Sequence, residues 1–453
     1  MRHALARYRV PVRAFALAVL IVPSSLSAAA QGDWDVTDTG QPYIDAEFTV
    51  TEGTWMSVNV HPDGGRILFD LLGDIYSIPA TGGDATLLHG GPAMQIMPSF
   101  SPDGAQILYL SDASGSDNIW ISEADGSGAR QITNETTDVL AGPAWDPGGD
   151  YVAAAKRYGT FPKVRASEIR LFHVNGGSGR LLVETPTNQR DVHEAEFSHD
   201  GRYFYYTERV GSPSIFVDAN HAGFAIKRKD LSSGATDEIL RGLGGATTPQ
   251  VSPDGKRVAF IRRVKAKTVL FELNTETGRQ RPIFDDLDRD ARADFMQQSA
   301  YYPQFDWFPD SRHVAIWGKG VLLRINMDTA ASEEIPFRAT ARHRITKTVR
   351  FDIDLAPEQT VVRAVRHLAP APDGSAVVFN ALGRLWRQAL PGGSPHRLTE
   401  ATAFEAEPAY SPDGRSIAYV EWDDERGSSL KVIDSSGKAA RTIEQSSGVI
   451  RQP

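Results

Sequence analysis

Few side chains in this sequence stand where chemistry would need them. The eleven histidines, at 3, 61, 89, 173, 193, 199, 221, 313, 343, 367 and 396, contain no His-x-His pair that could hold a divalent metal at a strand end. His193-Glu194 opens like the His-Glu-x-x-His zinc motif, in which two imidazoles one helical turn apart bind the metal. Position 197 is phenylalanine and the segment reads as a strand, so the motif fails on ligand and on element. His193 reads instead as a histidine at the edge of a β-blade. Asp286-Leu287-Asp288-Arg289-Asp290 begins like a calcium loop. Ala291 stands where the sharp turn needs glycine, and Gln297 where a bidentate glutamate closes the site. That stretch reads as a solvated loop insertion. No Gly-x-Ser-x-Gly elbow and no phosphate-cradling glycine loop occurs. The expectation is a chain with no catalytic, cofactor-binding or metal-ligating residue. Recognition by a surface remains, and the insertions at 156–168, 209–224 and 285–300 offer Phe216, Phe224 and Phe295 as loop or channel contacts.

The elements that would carry such a surface are legible in residues 98–133. Ser99-Phe100 runs into Pro102-Asp103-Gly104, a turn in which proline presets φ and glycine supplies the positive φ. Ile107, Tyr109 and their neighbours suit a strand buried on both faces. Turns at 114–116 and 125–126 separate a third strand, 118–122, from an outer one at 130–133. A lone four-stranded meander cannot bury its faces and needs neighbours of its own kind.

The chain supplies them. The turn recurs at 61–64, 101–104, 146–149, 198–201, 252–255, 308–311, 371–374 and 411–414, and a β-prone run such as 257–261 or 416–420 follows each. Four strands per unit and a period of 40 residues or more predict an all-β fold, a β-propeller of four-stranded blades in eight repeats. The spacing from turn to turn runs 40, 45, 52, 54, 56, 63 and then 40 again. A shift of 310 residues places Phe69 on Phe379, Leu72-Gly73 on Leu382-Gly383, Tyr76 on Trp386 and Pro98 on Pro408. The segments before each start, 46–55 and 348–365, both read as strands. The expectation is a six-bladed ring over 45–338, followed over 339–453 by a linker strand and two blades of a second, incomplete ring. On the same shift Pro453 falls on Pro143, which opens repeat three, so the chain reads as the front part of a longer polypeptide with no terminal cap. A single eight-bladed ring closed by strand 47–51 stays open as the alternative. The basic stretch 337–350 (Arg338, Arg342, Arg344, Lys347, Arg350) carries no blade motif and reads as the protease-sensitive joint.

Composition narrows the setting. Residues 1–30 join a basic start (Arg2, Arg7, Arg9, Arg13) to an apolar core at 14–22 and Ala28-Ala29-Ala30, the pattern of a cleaved export signal. The apolar run is too short for a membrane span, which needs about 20 residues. Residues 31–44 read as a loose leader. Removing the four arginines leaves 44 basic against 57 acidic residues, a net charge of −13, which argues against nucleic acid and anionic lipid as partners. There is no cysteine, hence no disulfide framework. The location expected is the periplasm, with no membrane insertion after signal cleavage.

Residues 53–83, GTWMSVNVHPDGGRILFDLLGDIYSIPATGG, and 301–329, YYPQFDWFPDSRHVAIWGKGVLLRINMDT, are similar to the propeller of exported bacterial amidohydrolases. In that family a Tricorn- and TolB-like propeller precedes a metal-dependent hydrolase barrel. The resemblance implies a non-catalytic β module serving substrate access or docking, with a hydrolase domain, another periplasmic protein or a peptide-like ligand as partner and no cofactor of its own. The barrel itself is missing from this chain. The alternative is a stand-alone TolB-like periplasmic scaffold for protein interaction; an enzyme active on its own is a third reading.

Overall fold

A computed structural model describes residues 41–158, 166–186, 191–210, 223–291, 300–347 and 353–450. Eight four-stranded antiparallel sheets follow one another along the chain, their strands in sequence order from one edge to the other. In the second sheet the strands are Gln95–Phe100, Gln106–Ser111, Asn118–Glu123 and Arg130–Gln131, the four that the sequence of 98–133 predicts. The same backbone bond closes each recurrent turn, and where the turn opens on serine its hydroxyl bonds the turn aspartate as well. The Gly104 N–H donates to the Ser101 carbonyl at 2.8 Å, and Asp103 Oδ1 accepts the Ser101 hydroxyl at 2.6 Å. Gly104 has a φ of 73°, a left-handed value that costs glycine nothing. In the sixth repeat Ser311 adopts it at 55°, as the sole substitute for glycine there.

The apolar side chains of the first six sheets point both ways, and neighbouring sheets cover both sets. Ile107 and Tyr109 meet Leu68 and Ile75 of the first sheet. Leu108, Leu110, Ile119 and Ile121 meet Leu140, Trp145 and Val152 of the third. Full burial of each such side chain is worth roughly 1.5–3 kcal/mol, so the faces between sheets dominate stability. The first sheet is covered on its other face by the sixth: Met56, Val58, Ile67 and Phe69 pack with Phe305, Trp307, Val314 and Ile316. Polar links reinforce that face, with Val58 N donating to the Gln304 carbonyl at 2.7 Å. The seventh and eighth sheets pack on each other through Val378, Leu385, Ile417, Tyr419 and Ile433. Strand Arg366–Pro370 of the seventh is largely exposed, whereas its 310-residue counterparts Val58 and Val60 are buried.

The basic stretch after the sixth sheet is not a loose joint. Phe337–Thr346 is a strand paired antiparallel with Tyr43–Val50 along its length, and its first residues pair parallel with Gly83–Asp84. Phe337, Ala339 and Ala341 alternate inward, while the arginines between them face acidic partners. Arg342 lies 2.7 Å from Glu47, Arg344 3.3 Å from Asp45 and Arg338 3.0 Å from Asp84. The positive charge that made the stretch look like a solvated linker is matched across the ladder. The strand expected over 348–365 is also corrected: 353–365 form no strand, Ile353, Leu355 and Val361 are exposed, and 348–352 lie outside the described residues. Among the described residues no helix is long and apolar enough to cross a membrane.

Trypsin needs an unpaired backbone. Limited digestion is therefore expected to cut after the exposed Arg363 before it cuts after Arg338, Arg342 or Arg344. First fragments that end inside 337–346, seen by mass spectrometry, would contradict this pairing.

Candidate functional site

The opening strands of six of the eight sheets carry a β-bulge where one residue turns left-handed. Met97, Gly142, Glu194 and Thr248 do so in the second to fifth sheets, and His367 and Glu407 in the last two. Only Gly142 announces itself by type, which is why sequence reading misses the bulges. Bulges re-aim side chains. Two or three residues further on, the opening strands of the first six sheets converge on one cavity of 330 Å³. Its wall contains the residue third before the proline position of each repeat: Asn59, Ser99, Ala144, Glu196, Gln250 and Asp306. The turn prolines form the rim, and in the fourth repeat His199 takes the place of proline. That column of polar residues inside apolar strands was the signal available in the sequence.

Two carboxylates and no lysine or arginine line the cavity. Asp306 is the fixed one. Its Oδ2 accepts Val60 N at 2.9 Å and Asn59 Nδ2 at 2.8 Å, and its Oδ1 accepts Trp307 N at 2.7 Å. Burial outweighs those bonds and pushes its pKa up to about 7. Among the described residues Glu196 is held only by Val251 N at 3.4 Å, and burial together with the Asp306 charge raises it well above the usual carboxylate range. At the rim, burial lowers the pKa of His199.

Below the mouth the passage narrows to a void of 20 Å³ between Met97, Gly142, Glu194, Thr248, Ala300 and Tyr302. Glu194 is fully engaged there. It accepts Thr207 Oγ1 at 2.5 Å, Thr248 N at 2.6 Å, Thr248 Oγ1 at 2.9 Å and Tyr301 N at 2.8 Å. No capacity is left for it to act as a base. His193 lies on the opening strand of the fourth sheet, an edge strand of that sheet, and is 1 % exposed, so this edge-strand histidine is buried. Arg157 Nη2 stands 2.8 Å from its Nε2, and Asp191 Oδ2 3.2 Å from the same atom. Burial pushes Asp191 upward, but the His193 and Tyr301 hydrogen bonds prevail and hold it at about 2.

The other sequence candidates fall elsewhere. Phe224 is buried with its ring against Tyr301, 4.7 Å between centroids, and is not presented on a loop surface. Phe216 and Phe295 lie outside the described residues. The acidic stretch 286–290 is not wholly solvated, because Asp290 is buried in an ion pair with Arg263 at 2.9 Å. Among the described residues no group of three or more His, Asp or Glu side chains could hold a metal ion.

No protein-family model matches the chain. It is 28% identical over 161 residues to a TolB homologue of Chlorobium chlorochromatii, covering 35% of this chain and 31% of that protein. Over 437 residues it is 23% identical to tricorn protease homologue 1 of Streptomyces coelicolor, covering 79% of this chain and 40% of the relative. An uncharacterised protein of Agrobacterium fabrum is 29% identical over 153 residues, which cover 32% of this chain and 52% of that one. The matches thus span about half or less of each relative's length. Among solved structures, tricorn protease aligns with a TM-score of 0.46 at 15% identity, over 88% of this chain and 36% of that one. TolB from Acinetobacter baumannii aligns with a TM-score of 0.46 at 16% identity, over 67% and 68%. The chain is thus similar to TolB and tricorn proteins, and it is all-β, built of four-stranded antiparallel sheets consistent with propeller blades. These matches bear on the TolB and tricorn side of the resemblance.

A carboxyl whose folded pKa is raised keeps its proton on folding. The stability it contributes is fully present below the unfolded value of 3.8 and is lost as pH rises through about 7. Asp306→Asn removes that titration. The melting temperature of the variant relative to wild type is expected to climb as pH goes from about 5 to about 8. A difference that stays constant across this range would show that Asp306 is not a buried, proton-holding group.

Proposed function

We propose that this chain is an exported, non-catalytic propeller that binds another protein through the cavity at the mouth of its opening strands. In this reading 45–338 form a closed six-bladed unit, and 339–453 contribute a linker strand and two blades of a second. The observation that carries the binding role is the mouth itself, where opening strands from six sheets meet around a polar cavity rimmed by rigid turns. Such concave surfaces with a few placed polar groups are where ligands bind. The 20 Å³ constriction below it supports binding over passage, since a substrate chain could not thread between Glu194, Thr248 and Tyr302 without unpacking them. That favours a protein-interaction scaffold over a gate feeding a hydrolase. The packing of the first sheet on the sixth supports the six-bladed division. Residues 1–30 and the TolB relative support a periplasmic location.

A photo-crosslinking amino acid placed at Pro102, on the rim, is expected to capture a discrete periplasmic protein. The same group at Val264, exposed at the far end of strand Arg257–Val264, is expected to capture none. Equal capture from both positions, or capture from Val264 alone, would move the binding surface away from the mouth.

A further inference from the structure

Resting on that reading, we propose that the mouth recognises a primary ammonium group on its partner, a lysine side chain or a free amino terminus, with Glu196 as the direct acceptor. Glu196 is placed for this by its column in the repeat, where the fourth sheet alone carries a glutamate. Its Oε1 has one long contact, Val251 N at 3.4 Å, and its Oε2 has none among the described residues. A carboxylate so weakly held inside protein is costly unless a cation joins it. Asp306 differs, because three N–H groups hold it, so it contributes a fixed negative charge and little free acceptor capacity.

Two amides point to the same ligand independently of the carboxylates. Gln304 Oε1 lines the cavity, is buried, and has no hydrogen-bond partner. Gln250 is 6 % exposed, lines the same space, and no hydrogen bond holds its side-chain amide among the described residues. Unfilled acceptors from the fourth, fifth and sixth sheets thus converge on one space. An ammonium has three donors on a rotatable head, which suits acceptors arriving from separate directions; a guanidinium demands a coplanar pair. Phe100 and Phe197 in the same wall offer apolar contact to the methylene stem of a lysine. A metal ion fits less well: the carboxylate set stops at two and, although His61 and His199 line the same cavity, no group of three or more His, Asp or Glu among the described residues could hold one.

The test uses the whole chain near pH 8, where Asp306 is ionised. Isothermal titration compares a capped Gly-Lys-Gly peptide, a Gly-Gly-Gly amide with a free amino terminus, and a fully capped Gly-Gly-Gly. Saturable binding of either amine but not of the capped control is expected, and the stronger of the two identifies the source of the ammonium. Glu196→Gln, which keeps shape and removes charge, is expected to weaken that binding about tenfold or more, with a cooperative melt at or above the wild-type temperature showing that the fold is kept. The proposal is overturned if neither amine binds wild type, if the variant binds equally well, or if calcium chloride binds and displaces the amine. Should crosslinking from Pro102 persist while the amines fail, the mouth remains a binding surface and only its ammonium specificity is wrong.

Discussion

Each of the first six sheets is apolar on both faces, and no such sheet can stand alone in water. The rest of the structure depends on that constraint. Leu108 and Leu110 need the third sheet as much as Ile107 and Tyr109 need the first, so stability is a property of neighbouring sheets and of no single one. The same requirement brings the sixth sheet against the first, where Trp307 and Phe305 cover Met56 and Val58. Turns and ladders then follow from short-range chemistry, and the opening strands are left facing one another because the sheets are packed side by side.

The polar features at the mouth are consequences of that packing as well as candidates for function. Asp306 stitches the sixth sheet to the first through Val60 N and Asn59, and Trp307 Nε1 donates to the Gln250 carbonyl of the fifth at 3.0 Å. Glu194 ties the fourth sheet to the fifth and to Tyr301. These groups are occupied. Glu196 stands in the same neighbourhood without comparable partners, and a buried carboxylate next to a second one has nothing inside the protein to offset its charge. The engaged acids tie sheets together, whereas Glu196 has one long contact.

The paired strands 43–50 and 337–346 show a related point about charge. Read alone, five basic residues within 14 positions suggest a solvated segment. Across the ladder, Glu47, Asp45 and Asp84 meet three of them, while Phe337, Ala339 and Ala341 turn inward. Alternation with a period of two is a strand signal, and here the density of charge masked it.

The sequence by itself determined the repeating unit. Proline, aspartate and glycine at fixed spacing dictate a turn whose conformation those residues alone adopt cheaply, and alternating apolar runs on either side dictate strands buried on two faces. Eight such turns mean eight sheets, and all eight are present with the left-handed position where it was expected. The tertiary structure alone decided which sheet covers which, that His193 on an edge strand is buried, and that the residue three before the proline position in each of the first six repeats faces a shared cavity. These are relations between positions 40 to 250 residues apart, and no local propensity encodes them. The bulges at Met97, Glu194 and Thr248 are of the same kind: their side chains give no reason to turn left-handed, and only the packing of one opening strand against the next holds them there.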